Sequence, residues 1–280
     1  LFTATITSFT DAFFETMSGY TATGATILDD IEALPRSIML WRSLTHWMGG
    51  MGIIVLAIAI LPLLGIGGMQ LFSAEAPVLG GDKLHPRISD TAKRLWLIYV
   101  GLTLANALLL FVSGMPLFDA INHAMSTMAS GGFSTKNTSI GFWNHMPQIQ
   151  YITIFFMILA GSNFVLLYYA IKGKFKRVFA DTEFSWYTGF IAVFAFIVMA
   201  SILRPGSYAT ADASMFAVWE QSFRHALFQV VAVITTTGLV TADFTAWTPF
   251  VTMLFFGLMF LGGSTGSTSG GVKVMRHLIL

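Results

Sequence analysis

Apolar residues dominate five long stretches, at about 37–64, 95–115, 148–171, 184–203 and 249–261, and segments rich in Gly, Pro and charge separate them. A helix rises 1.5 Å per residue, so roughly 20 residues cross a ~30 Å hydrocarbon core. These five stretches therefore predict spanning helices. Three shorter ones, about 11–22, 118–129 and 222–236, each stop at a cluster of Thr, Ser and Gly. Their length suits re-entrant half-helices better than full spans.

Counting along the chain turns this pattern into a repeat. Asp11, Asp119 and His225 each open a half-helix, and a glycine follows each by thirteen residues, at Gly24, Gly132 and Gly238. Pro35, Pro147 and Pro249 then open the next helix, where the missing N–H of proline would be unpaired in any case. A second glycine lies fourteen residues beyond each proline, at Gly49, Gly161 and Gly263. The unit is helix, half-helix, Thr/Gly loop, helix, and the loop glycines recur at intervals of 108 and 106 residues. Residues 1–75 form a first unit with only its pore loop and second helix, 76–180 a second, and 181–280 a third. On this reading the chain is a fragment.

Composition agrees with lipid as the solvent: 55% of residues are hydrophobic, 10% are charged and the mean hydropathy is +0.72. A net charge of +1 without a basic face excludes a nucleic-acid footprint, and the lack of cysteine excludes disulfides and thiolate chemistry. Lys83, Arg87, Lys93 and Arg94 share one connection and Lys172, Lys174, Lys176 and Arg177 another, which places these loops in the cytoplasm. Asp29, Asp30, Glu32, Asp212 and Asp243 fall on the opposite side, with the Thr/Gly clusters. An acidic mouth suits a cation.

The clusters carry the candidate chemistry. A selective cation pore replaces a hydration shell with backbone carbonyls, and turning successive carbonyls to one side needs backbone angles that glycine reaches cheaply. Thr23-Gly24, Gly131-Gly132 and Thr237-Gly238 fit that role at equivalent positions. Surface turns and small-residue helix packing are the plainer readings, and packing suits Gly49–Gly52 better. Glu15, His123 and Gln229 all lie nine residues before the loop glycine, and Glu15 is the candidate to support the loop from behind. Arg42, inside an apolar helix, either pairs with an acid or extends to the membrane surface. His46, His123 and His225 lack metal-ligand spacing, so the transported ion is the only metal expected. No paired carboxylates or HExxH suggest an enzyme.

The stretch TATGATILDDIEALPRSIMLWRSLTHWMGGMGIIVLAIAILP (21–62), the FSAEAP and HPRISDTAKRLW segments, ASGGFSTKN (129–137), TTTGLVTADF (235–244) and GGSTGSTSGGVKV (262–274) resemble the Trk/Ktr/HKT potassium transporter family, nearest its bacterial Trk branch. The resemblance covers essentially the whole chain. It implies an all-α polytopic protein of the bacterial inner (cytoplasmic) membrane, with four channel-like repeats around a single pore. This segment would hold about five spanning helices and three re-entrant pore loops, the fourth repeat lying beyond Leu280. The implied function is potassium uptake, with Thr23, Gly24, Gly131, Gly132, Thr237 and Gly238 in the selectivity filter. A gate is implied at Gly262, Gly263, Ser264, Thr265, Gly266, Gly270 and Gly271; five glycines in ten residues disfavour helix by roughly 1 kcal/mol each. A plain exit loop to the cytoplasm is the simpler account of that stretch. The resemblance also implies a homodimer and a cytoplasmic TrkA-like nucleotide-binding regulatory subunit, with K+ as transported ion and no covalently bound cofactor. A secondary transporter coupled to H+ or Na+ is the alternative; it predicts inverted repeats, whereas these run in one direction.

Overall fold

The computed structural model describes residues 6, 8–60, 88–203 and 215–279, and within them the chain is helical with no β-strand. Lys83, Arg87, Asp212, the FSAEAP segment and the boundary at 75–76 lie outside the described residues. Among the described residues eleven α-helices follow in order: α1 (Phe9–Tyr20), α2 (Arg36–Ile60), α3 (Ile88–Val112), α4 (Leu117–Met128), α5 (Pro147–Ala160), α6 (Phe164–Ile171), α7 (Phe175–Phe179), α8 (Thr182–Ile202), α9 (Met215–Ile234), α10 (Pro249–Leu258) and α11 (Val274–Ile279).

Two of the expected spans, α3 and α8, are long and apolar enough to cross a bilayer, and the 25 residues of α2 have the length. The other two are interrupted or shorter. The run 148–171 is not one continuous helix: it breaks after Ala160, and α6 leaves α5 at 110°. The run 249–261 is helical only to Leu258, ten residues in all. The third half-helix also starts earlier than its apolar stretch, at Met215.

Proline opens α5 and α10 at the first helical position, as the spacing predicts. On α3 and α8 the outer face is apolar and bare, with Leu104 65% and Phe196 70% exposed, while Tyr99 and Tyr187 of the same helices are fully buried. That inversion is what helices in lipid require, since tails solvate the outer face while polar tips find partners inside. Tyr99 donates to the Trp47 carbonyl at 2.9 Å and Tyr187 to that of Ile158 at 3.2 Å.

Two apolar cores result. One gathers Met51, Leu95, Tyr99, Met128, Phe156 and Phe164 from α2, α3, α4, α5 and α6. The other gathers Met157, Tyr187, Val198, Phe228, Val231 and Phe255 between α5, α8, α9 and α10. Helices α1 and α4, of 12 residues each, and the 20-residue α9 pack against these helices, and their C-terminal ends carry the three Thr/Gly loops.

Candidate ion pathway

The three loops share one backbone geometry. Thr21, Ala129 and Thr235 each donate their N–H to the carbonyl four residues back, at Met17, Met125 and Val231. Ala22, Ser130 and Thr236 reach Gly19, Thr127 and Val233; Thr23, Gly131 and Thr237 reach Ser18, Ser126 and Ala232. All nine bonds lie between 2.8 and 3.1 Å. Each half-helix thus ends in the 6→1 closure typical of helix C-termini, and the N–H groups of the loop fold back on their own helix. The loop carbonyls are left to face elsewhere.

Alternate residues of the loops are left-handed. Ala22, Ser130 and Thr236 have φ of 52°, 55° and 54°; Gly24, Gly132 and Gly238 have φ of 78°, 85° and 72°. For an L-residue this costs about 1–2 kcal/mol. Glycine therefore occupies the second position in every copy, while the first keeps a side chain.

The loops also stand in sequence against one another. A methyl group added to Gly24 would strike the Gly131 carbonyl, and one added to Gly132 would strike that of Thr237, whereas one added to Gly238 would meet open space. The first two glycines thus abut the next loop, and the third has no described atom within 4 Å of that position.

Behind the glycines sit the polar residues of the half-helices. The buried Glu15 carboxylate accepts Thr26 Oγ1 at 2.9 Å and the Ile27 N–H at 3.2 Å, and pairs with Arg42 at 2.7 Å. Of the two readings of Arg42, pairing is the one observed. At the equivalent place His123 Nε2 lies 2.9 Å from Ser134 Oγ, with its Nδ1 2.8 Å from the Asp119 carbonyl, and Gln229 Nε2 donates to the Ala242 carbonyl at 2.7 Å. All three tie half-helix to the segment rising after the glycine. Sequence reading missed the residues that brace the second loop: Phe133 lies between His46, stacked at 3.8 Å, and the Arg42 guanidinium at 4.0 Å. Two polar groups inside an apolar helix, spaced i and i+4, were the available signal.

At the outer end Lys136 pairs with Glu32 at 3.0 Å and Asn137 Nδ2 donates to Asp30 at 3.0 Å, joining the first loop to the second. The Asn137 amide beside Asp30 holds its carboxyl below the usual range, and the Thr245 hydroxyl and N–H do the same for Asp243. Both stay ionised well below neutral pH.

Residues 261–272 form a closed loop at the other end of the Thr/Gly loops. Leu261 and Val272 form a parallel bridge, and the Gly262 N–H donates to the Val272 carbonyl at 2.8 Å. Inside this neck, Ser264 N–H bonds the Gly161 carbonyl at 2.8 Å and Thr268 N–H that of Ala160 at 3.3 Å, satisfying carbonyls that the break after α5 leaves unpaired. Thr268 Oγ1 donates to the Met128 carbonyl at 3.0 Å and lies 3.0 Å from Ser130 Oγ; Gly270 N–H donates to Thr236 Oγ1 at 2.7 Å. The loop therefore lies directly against the left-handed residues Ser130 and Thr236. Ser264, Thr265, Ser267 and Ser269 are buried. Lys273 Nζ reaches back to the Ser269 carbonyl. Among the described residues no group of His, Asp or Glu side chains is placed to hold a metal ion.

Residues 3–280 match the family described as TrkH, cation transport protein. The Trk system potassium uptake protein TrkH of Salmonella typhimurium is 44% identical over 273 residues, and TrkG of Escherichia coli K12 is 41% identical over 276; these alignments cover 97% and 98% of this chain and 55% of each relative. The crystal structure of the potassium transporter TrkH from Vibrio parahaemolyticus superposes with a TM-score of 0.80 at 40% identity, over 97% of this chain and 54% of that one. The chain spans about half the length of these relatives. On that match it belongs to the TrkH family of cation transport proteins, multi-pass proteins of the inner membrane and transporters rather than enzymes.

Proposed function

We propose that this chain is the larger part of a potassium uptake pore. The three Thr/Gly loops are its selectivity filter, with Thr23, Gly24, Gly131, Gly132, Thr237 and Gly238 offering backbone carbonyls to the ion. The observation that carries the reading is the ordered abutment of Gly24 on the second loop and Gly132 on the third, with open space beside Gly238. A fourth unit in the parent protein, set beside Gly238, closes the ring. The units divide at about 75–76 and 180–181.

The chemistry supports a cation. The first three N–H groups of each loop are bonded back to its half-helix, which leaves their carbonyls available to an ion. The half-helices α1, α4 and α9 turn their negative dipole ends toward the loops, and acids surround the outer side. Glu15, His123 and Gln229 hold the loop spacing from behind. The relatives named as potassium uptake proteins favour K+ as the ion.

Residues 262–271 are the gate in this reading. Their bonds to Met128, Ser130 and Thr236 lay the loop under two of the three filter segments, where it obstructs the path until withdrawn. A cytoplasmic TrkA-like nucleotide-binding subunit supplies the withdrawal, and the parent protein works as a homodimer. Coupling to H+ or Na+ is the competing mechanism. The bent α5–α6 pair is the one feature it would share, but the units repeat without inversion.

The test is uptake by the parent protein in cells lacking other potassium uptake. Gly132→Ser and Gly238→Ser should each lose discrimination of K+ over Na+. Retained discrimination in both variants overturns the filter assignment.

A further inference from the structure

A buried acid outside the Thr/Gly loops clasps the loop 262–271 at its neck. Glu183, in the first turn of α8, is 3% exposed, and its Oε1 alone accepts three bonds. These come from Thr265 N–H at 2.7 Å, Thr265 Oγ1 at 2.9 Å and Met275 N–H at 3.3 Å. Thr265 lies near the start of the loop and Met275 just past its end. A single carboxylate oxygen thus holds both sides of a closed loop to one helix. Such bonds to a carboxylate are stronger than neutral ones, and the buried Thr265 amide would otherwise lack a partner.

We propose that Glu183 is the latch of the gate, a positioning residue that holds loop 262–271 against the filter by fixing its neck to the cytoplasmic end of α8. The inference rests on the loop being the gate. Its location adds a route for control. α8 follows directly on the exposed basic segment 172–177, and Asp181, the residue that caps α8, donates its N–H to the Val178 carbonyl of α7. A partner pulling on that segment moves the first turn of α8, and with it both ends of the loop.

The experiment compares Glu183→Ala, Glu183→Gln and Thr265→Val in the full-length parent protein. A deletion within 262–271 serves as control. K+ flux into proteoliposomes is read with and without the regulatory subunit. Glu183→Ala should raise subunit-free flux by at least roughly tenfold, the factor by which losing even one of its three charge-assisted bonds shifts a two-state equilibrium. Glu183→Gln keeps an oxygen at Oε1 and should restore most of the closure, and the K+/Na+ ratio should stay unchanged in both. A residue needed only for folding would lower flux instead, so the direction separates the two roles. Unchanged or lowered subunit-free flux in a Glu183→Ala protein that reconstitutes at normal yield overturns the latch. If that variant does not fold, Thr265→Val decides, with a smaller rise supporting the latch and none overturning it. Should the deletion raise flux while Glu183→Ala does not, only the latch fails; should the deletion leave flux low, the gate reading fails with it.

Discussion

The Thr/Gly loops and the loop 262–271 are both glycine-rich backbone without regular structure, set among apolar helices, and they solve the same hydrogen-bonding problem in opposite ways. The first three N–H groups of each Thr/Gly loop bond within its own half-helix, at positions three to five residues away. The loop 262–271 draws on Ala160, Gly161, Met128, Thr236 and Glu183, up to 140 residues distant in sequence. A locally closed loop can open only by unravelling its own helix end. A loop tied to four other segments can leave as a unit, because every tie is a separable contact and its own neck stays bridged between Leu261 and Val272. The first arrangement suits a fixed coordination shell and the second a moving part.

The sharpest test of that contrast removes the ion pair behind the first loop. Arg42→Ala leaves Glu15 buried beside Thr26 without its cation, and unpairing a buried charge costs roughly 3–5 kcal/mol. The detergent-solubilised parent protein should melt at a clearly lower temperature and lose ion discrimination, with no rise in subunit-free flux. A melting point within experimental scatter of the wild type would mean that the loop does not depend on this pair. Gly24→Ala comes next. The left-handed backbone alone costs about 1–2 kcal/mol, and the added methyl group strikes the Gly131 carbonyl besides. In this segment Gly238→Ala shares the left-handed backbone cost, but its methyl group meets no carbonyl. Equal losses of discrimination from both substitutions in the parent protein would place a fourth loop against Gly238; a loss from Gly24→Ala alone would argue that none is there.

Thr268→Ala probes the other side of the comparison. It removes the hydroxyl that donates to Met128 and Ala160 and meets Ser130, a change of about 1–2 kcal/mol for a buried hydrogen bond. If the ties are separable, thermal stability should barely move, while subunit-free K+ flux rises severalfold. A large fall in melting temperature with flux unchanged would make the loop a structural plug instead.

How much of this was legible follows from the same distinction. The Thr/Gly loops could be found by counting because their geometry depends on a half-helix and a glycine at fixed separation. The left-handed Ala22, Ser130 and Thr236 went unnoticed because their side chains differ and only the backbone repeats. The break after α5 was missed for another reason: 148–171 is apolar on both sides of it, and hydropathy carries no mark of a bend. Gly161, in register with Gly263, was the available hint. Glu183 was invisible altogether, since an acid two residues after Asp181 reads as an ordinary helix start and its partners lie 82 and 92 residues away. Sequence reports what chain neighbours impose, and the loop 262–271 is held by residues that are not neighbours.

The smallest expected effect belongs to the outer contact between the first two loops. Lys136 and Glu32 are 22% and 40% exposed, so their pair at 3.0 Å contributes at most about 1 kcal/mol and is screened by salt. Lys136→Ala should leave stability and ion discrimination nearly unchanged. It also removes the cation next to Glu32, in a mouth where Asp30 and Asp243 remain ionised. K+ entry should then quicken modestly at low ionic strength, and the gain should vanish at high salt. A gain that persists at high salt would mean that Lys136 acts on the loop by contact, and that the outer mouth belongs with the distant ties of 262–271.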